Sequence, residues 1–72
     1  MKYNVTVRFK LNGEYSHSEN YTVEIKDSIK EDDLMDNLMD AAREILRDEF
    51  EGDEDWEDGN YDWEIYDWDK TN

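Results

Sequence analysis

Asp32, Asp36, Asp40 and Glu44 recur every four residues in a chain of 72. On a helix that spacing sets carboxylates about 6 Å apart along one side. Asp62 and Glu64 stand two apart, which on one face of a strand is about 6.6 Å. Between these runs lie Asp53, Glu54, Asp55, Glu57 and Asp58, and Asp67 and Asp69 follow them. Carboxylates in rows do one kind of chemistry without any pocket: they present spaced negative charge. Phosphates along one DNA strand rise about 3.4 Å each along the axis and stand further apart along their winding path. A protein that arranges carboxylates in this way can fill a cleft whose Lys and Arg side chains select on charge and spacing. The plainer expectation is a solvated helix face followed by an acidic tail.

Other constellations are thinner. Trp56, Tyr61, Trp63, Tyr66 and Trp68 interleave with the acids. Trp63, with Ile65, is expected to pack. Tyr66 and Trp68 are expected on the face of Glu64, where they either anchor an interface or cover the outer sheet. Asp53, Asp55, Glu57 and Glu64 match positions 1, 3, 5 and 12 of an EF-hand, but Asp58 occupies the place of its glycine. Any tract this acidic yields such a match, so no metal ligand and no cofactor is assigned. Catalysis has little to stand on. His17 is the only histidine and lies between Ser16 and Ser18, whereas triad members converge from different elements. A carboxylate pair for acid–base work needs a pocket that shifts one pKa, and so small a domain offers little room for one. The chain is read as a non-enzyme.

The charge is lopsided. Residues 1–26 carry four bases against three acids, residues 27–50 three bases against nine acids, and residues 51–72 one base against ten acids. The total is −14. Solubility of a small domain needs a net charge of only about 2–8, and a larger one costs stability through self-repulsion. A cationic partner is the natural counterpart. Nucleic acid and anionic membrane would be repelled. Without cysteine there is no disulfide or zinc-thiolate site, which fits a reducing cytoplasm. No apolar run is long enough for a signal peptide or membrane span. Low hydrophobicity with high charge is the composition of disorder, but 14% aromatic residues argue for a folded domain, and the absence of proline leaves it as one unit over residues 1–72.

The elements follow from periodicity. Met1, Tyr3, Val5, Val7, Phe9 and Leu11 alternate with polar residues, which is a strand with one buried face. Asn12-Gly13 signals a hairpin, and Tyr21, Val23 and Ile25 alternate in a second strand. A bare two-residue loop would put Val5 opposite Asn20, mixing apolar and polar faces. A three-residue loop or a bulge near Glu14–Ser18 pairs Val5 with Tyr21 and Tyr3 with Val23; a longer loop over Asn12–Glu19 also satisfies parity. Asp27 and Ser28 can cap a helix, with Glu31 completing a capping box. Leu34, Leu38, Ala41, Ala42, Ile45 and Leu46 share one arc of about five turns, flanked by Met35, Met39 and Phe50, and Gly52 ends the helix. Residues 51–60 read as an acidic loop and 61–68 as a third strand. The fold class is α+β, in the order β-β-α-β. A right-handed crossover gives a three-stranded antiparallel sheet of order 2-1-3 with one amphipathic helix on one face. The expected core is Tyr3, Val5, Val7, Phe9, Val23, Ile25, Leu34, Leu38, Ile45, Trp63 and Ile65.

Small size, absence of cysteine, strong acidity, aromatic richness and an α+β pattern together resemble the DNA-mimic inhibitors of bacteriophages and mobile elements. That class includes anti-restriction and anti-CRISPR proteins and inhibitors of DNA glycosylases. The resemblance is one of composition over the whole chain and carries no residue motif. It implies a stoichiometric inhibitor, monomer or homodimer, acting in the cytoplasm of a bacterial host. Its partner would be a basic DNA-binding protein such as a restriction enzyme or CRISPR effector. The expected contacts are Asp32, Asp36, Asp40, Glu44, Asp53, Glu54, Asp55, Glu57, Asp58, Asp62, Glu64, Tyr66, Asp67, Trp68 and Asp69. An acidic adaptor or chaperone for a basic protein, or a divalent-cation-binding module, are the alternatives.

Overall fold

The computed structural model describes residues 1–71. β1 spans Lys2–Leu11 and β2 Glu14–Glu24; α1 spans Leu34–Glu49, α2 Glu54–Glu57, and β3 Tyr61–Thr71. β1 lies in the middle of a sheet of order β2-β1-β3, antiparallel to both neighbours. The fold is therefore α+β, with α1 on one face and the other face open.

The hairpin uses two devices at once. Leu11 pairs with Glu14 across a two-residue turn, with Asn12 at φ 55° and Gly13 at φ 83°. Two positive φ values are what a type I′ turn needs, and Asn-Gly supplies them at least cost. The register then slips by one between Phe9 and Lys10, with Ser16 as the extra residue on β2. This bulge restores Val5 opposite Tyr21 and Tyr3 opposite Val23. Without it, every apolar residue of β2 would turn to the open face.

The core is Tyr3, Val5, Val7 and Phe9 from β1, Val23 from β2 and Ile25 just past its end, and Leu38, Ala42 and Leu46 from α1. Leu34, Ile45, Trp63 and Ile65 pack around this cluster but remain partly exposed. The helix thus bears on the sheet through a narrower stripe than its apolar arc suggests. Met35 and Met39 flank that stripe.

Two local expectations fail. The capping box does not form: a 3₁₀ turn over Glu31–Asp33 leads into α1, and Lys30 stands at its cap with no side-chain bond. Asp27 is engaged elsewhere, its carboxylate 2.9 Å from the Met1 ammonium. That hydrogen bond and charge hold the Asp27 carboxyl below its usual range. The three acids of the 3₁₀ turn face the positive end of the helix dipole instead. The segment 51–60 is also not a plain loop, because α2 forms one turn within it.

Candidate functional site

The acidic surface is built in three pieces. The first is the outer face of α1. Asp32 in the leading turn, then Asp36, Asp40 and Glu44, are all exposed. Asp40 accepts a hydrogen bond from Arg43 at 2.9 Å, and the Arg43 guanidinium lies 5.9 Å from the centre of the Trp63 ring. The other ion pairs among the described residues are Met1–Asp27 and a 3.9 Å contact between His17 and Glu19 that is charged only when His17 is protonated. Asp32, Asp36 and Glu44 thus have no cationic partner among the described residues.

The second piece is the turn at the C-terminal end of α1. Gly52 takes a positive φ of 85° there, a conformation that glycine adopts without steric cost. Asp53 then caps α2, its Oδ1 accepting from the backbone N–H groups of Asp55 at 2.9 Å and Trp56 at 3.2 Å. Asp55 accepts from Asn60 Nδ2 at 3.2 Å. Trp56 anchors the turn, stacked on Phe50 at 4.9 Å with 9° between planes. Phe50 and Tyr61 both pack on Phe9, and His17 stacks on its ring at 4.7 Å. An aromatic column running into the core therefore holds the most acidic stretch of the chain. Glu54, Asp55, Glu57 and Asp58 project from it exposed. Asp53 is less a contact than a structural cap. The EF-hand geometry does not form, because a helical turn replaces the loop and Glu64 lies on β3; among the described residues no group of three or more His, Cys, Asp or Glu side chains is placed to hold a metal ion.

The third piece is β3, and here the register corrects the sequence reading. Val7 pairs with Ile65, but Thr6 pairs with Asp67, so Tyr66 is an unpaired bulge. Past it the faces exchange. Trp68 lies directly opposite buried Val5, which places it on the helix side and not on the face of Glu64. Asp67 and Asp69 lie opposite Thr6 and Asn4, which gathers them with Asp62 and Glu64 on the open face. A strict alternation from residue 61 would have scattered these four acids. On that face Glu64 pairs with Arg8, and Asp62 with Lys10. The guanidinium of Arg8 sits 4.0 Å above the Tyr66 ring, a cation–π contact. A depression of about 110 Å³ is lined by Arg8, Lys10, Asp62, Trp63 and Glu64.

The structure therefore divides the expected contact residues. Asp32, Asp36, Asp40 and Glu44 line one side of the molecule. Asp62, Glu64, Asp67 and Asp69 line the opposite face of the sheet, with a stripe of bases beside them. Sequence reasoning missed one acidic group altogether. Tyr21 Oη is 2.7 Å from both Glu19 Oε2 and Glu49 Oε2. Partial burial and these two carboxylates push the phenol well above its ordinary pKa. Only the sheet register and the helix placement bring residues 19 and 49 together, so no sequence spacing announces them.

No family model, curated protein or solved structure matches this chain. Among the described residues, no helix is long and apolar enough to cross a membrane.

Proposed function

We propose that the protein is a DNA-mimic inhibitor that occupies the cationic DNA-binding groove of a bacterial nuclease or other DNA-binding protein. The observation that carries this reading is the outer face of α1. It is a row of exposed carboxylates, of which Asp40 alone has a bonded base, followed in the chain by the exposed acids of α2, whose turn is held by the Asp53 cap and the Trp56–Phe50 stack.

Size and charge support it. The Cα atoms span 36 × 21 × 20 Å, and one turn of DNA is about 34–36 Å long. Duplex DNA carries a charge per about 1.7 Å of axis, hence roughly 21 charges over that length. The protein offers 22 acids and a net −14, about two-thirds of the duplex value. The acids of β3 face away from α1, so a groove that receives α1 leaves them outside. We therefore narrow the proposed contacts to Asp32, Asp36, Asp40, Glu44 and the α2 acids Glu54, Asp55, Glu57 and Asp58.

The test begins with affinity capture of partners from a bacterial lysate. Each captured DNA-binding protein is then offered labelled DNA with increasing amounts of this chain. Displacement at a one-to-one ratio is the expected result. A ternary complex, with DNA still bound, would replace the mimic reading by that of an acidic adaptor or chaperone.

A further inference from the structure

We propose that the free edge of β2 is a docking site for an extended cationic segment, which joins the sheet as a fourth strand. This goes beyond the DNA-mimic reading and stands whether or not α1 occupies a DNA-binding groove.

The hydrogen-bond alternation of the sheet identifies the groups that would bind. Ile25 and Met1 exchange both main-chain bonds, Ile25 N–H to Met1 O at 2.8 Å and the Met1 ammonium to Ile25 O at 2.7 Å. In an antiparallel ladder bonded and non-bonded pairs alternate. Val23, Tyr21, Glu19 and His17 therefore bond to β1. Ser18, Asn20, Thr22 and Glu24 turn their N–H and C=O groups away from it. Among the described residues β2 has no neighbour on that side. The bulge at Ser16 lies at one end, so the ladder from Ser18 to Glu24 is regular.

The two edges of the sheet differ in their readiness to pair. By the same alternation β3 turns the backbone of Trp63, Ile65, Trp68 and Lys70 outward. The bulge at Tyr66 interrupts that row, and Asp62, Glu64, Asp67 and Asp69 charge the strand. Bulges and charges are the usual protections of an edge. Between Ser18 and Val23 β2 carries only one formal charge, that of Glu19. An exposed regular edge of this kind is a template for an added strand.

Charge decides the occupant. On the helix side of the edge, Glu19 and Glu49 approach the Tyr21 hydroxyl, and its single proton can serve only one of them. A Lys or Arg of the added strand, beside Tyr21 on the same face, supplies donors to both carboxylates. A second copy of this chain fits poorly. It would bring its own Glu19 and Glu49 to this edge, with a net −14 on each partner. A neutral segment would leave the carboxylates as they are. On the other face Ser18, Asn20 and Thr22 are polar and uncharged, and ask only for β-forming residues. The recognised pattern is thus Lys or Arg at alternate positions, with Thr or Val between.

The experiment titrates the intact isotope-labelled chain with a short capped peptide in which lysine alternates with threonine and valine. Backbone amides are followed by NMR and hydrogen exchange. Two control peptides are used, one with the same composition and contiguous lysines, the other with the lysines replaced by serine. The amides of Ser18, Asn20 and Thr22 are expected to gain protection with the alternating peptide alone. Glu19→Gln with Glu49→Gln should weaken its binding by about tenfold, the loss of one charge-assisted contact. Asn20→Pro removes an outward N–H and should abolish the protection. If that variant fails to fold, alternate backbone N-methylation of the peptide makes the same test from the other side. Shifts confined to α1 and α2, or equal binding of the contiguous-lysine peptide, would overturn strand addition. Equal binding of the serine peptide would overturn the cationic requirement. Protection of the same amides in the free chain, rising with protein concentration, would assign the edge to a second copy.

Discussion

The acids of α1 and those of β3 are similar in number and all exposed, yet they sit in different electrostatic settings. Along the outer face of α1, Arg43 and Arg47 stand among the acids, and only Asp40 has a bonded base. On β3, Asp62 and Glu64 lie across from Lys10 and Arg8 of the neighbouring strand. A tally of charges along the chain makes the C-terminal stretch the more acidic. The sheet register narrows the difference, because β1 sets Arg8 and Lys10, distant in sequence, across from Glu64 and Asp62. The charge that a partner meets depends on what lies across the ladder as well as on local composition.

The largest effect tests the frame that both sets share. Leu38, on the inner side of α1, is fully buried. Leu38→Ala should cost about 2–5 kcal/mol, enough to unfold so small a domain. An unchanged melting temperature would refute the packing of α1 on the sheet. The comparison itself is broken by two charge reversals. Asp36→Lys with Asp40→Lys should weaken partner binding by more than about tenfold, as loss of 1.4 kcal/mol or more, with the fold retained. Asp67→Lys with Asp69→Lys should leave binding within a few-fold. The opposite outcome moves the interface to the open face. Asp53→Ala removes the cap of α2 and should lower stability by about 0.5–2 kcal/mol, read by denaturant titration. If binding falls with it, the ordered acids of α2 belong to the contact.

Ionic strength acts on the two properties with opposite sign. Raising it from about 0.01 M to 0.15 M shortens the screening length from roughly 30 Å to 8 Å. The melting temperature should rise as self-repulsion fades, and association with a cationic groove should slow. Affinity that holds or rises with salt would point to apolar contacts through Tyr66 and Trp68.

The smallest effect is that of pH. Lowering pH from neutral toward the carboxylate range removes repelling charge and should raise the melting temperature. The Asp27 carboxyl, depressed by the Met1 ammonium, acts the other way. Its contribution is present above its ordinary value near 3.8 and is lost only as pH falls through the lower folded value. Asp27→Asn should therefore melt slightly lower than the parent at neutral pH and converge with it in strong acid. A gap that persists there would mean that the asparagine disturbs something besides the charge.

How much of this was legible in the sequence depends on the range of the interaction. The alternation of Tyr3 to Phe9 and the helical arc are periodic signals, the strand order follows from the right-handed crossover, and the structure has all three. Apolar parity alone requires Val5 to face Tyr21, even though it leaves open which device achieves this. Bulges are harder to read. One extra residue at Tyr66 turns Trp68 to the helix side and gathers four acids on the open face, and nothing in the local residue types marks it. The capping box over Ser28 and Glu31 was a valid local pattern, but the helix begins later and Asp27 is taken by the Met1 ammonium. Asp53, three residues before a tryptophan with a core to reach, was a readable cap hidden by the acids around it. The meeting of Glu19, Tyr21 and Glu49 is purely tertiary.

The central position of β1 has a consequence in time. This strand leaves the ribosome before the helix that covers it, and one of its two neighbours, β3, is made after that helix. At about 5–20 residues per second, several seconds separate the emergence of Leu11 from that of Tyr61. Until α1 follows, the hairpin carries Val5, Val7 and Phe9 on a surface with no helix above it, and its flank on the β3 side stays open for the whole interval. Closure waits on contacts between residues far apart in the chain, which slows folding. The nascent hairpin is therefore the species most exposed to chaperones or to unwanted association, and the acids that arrive after it are the first to keep neighbouring chains apart.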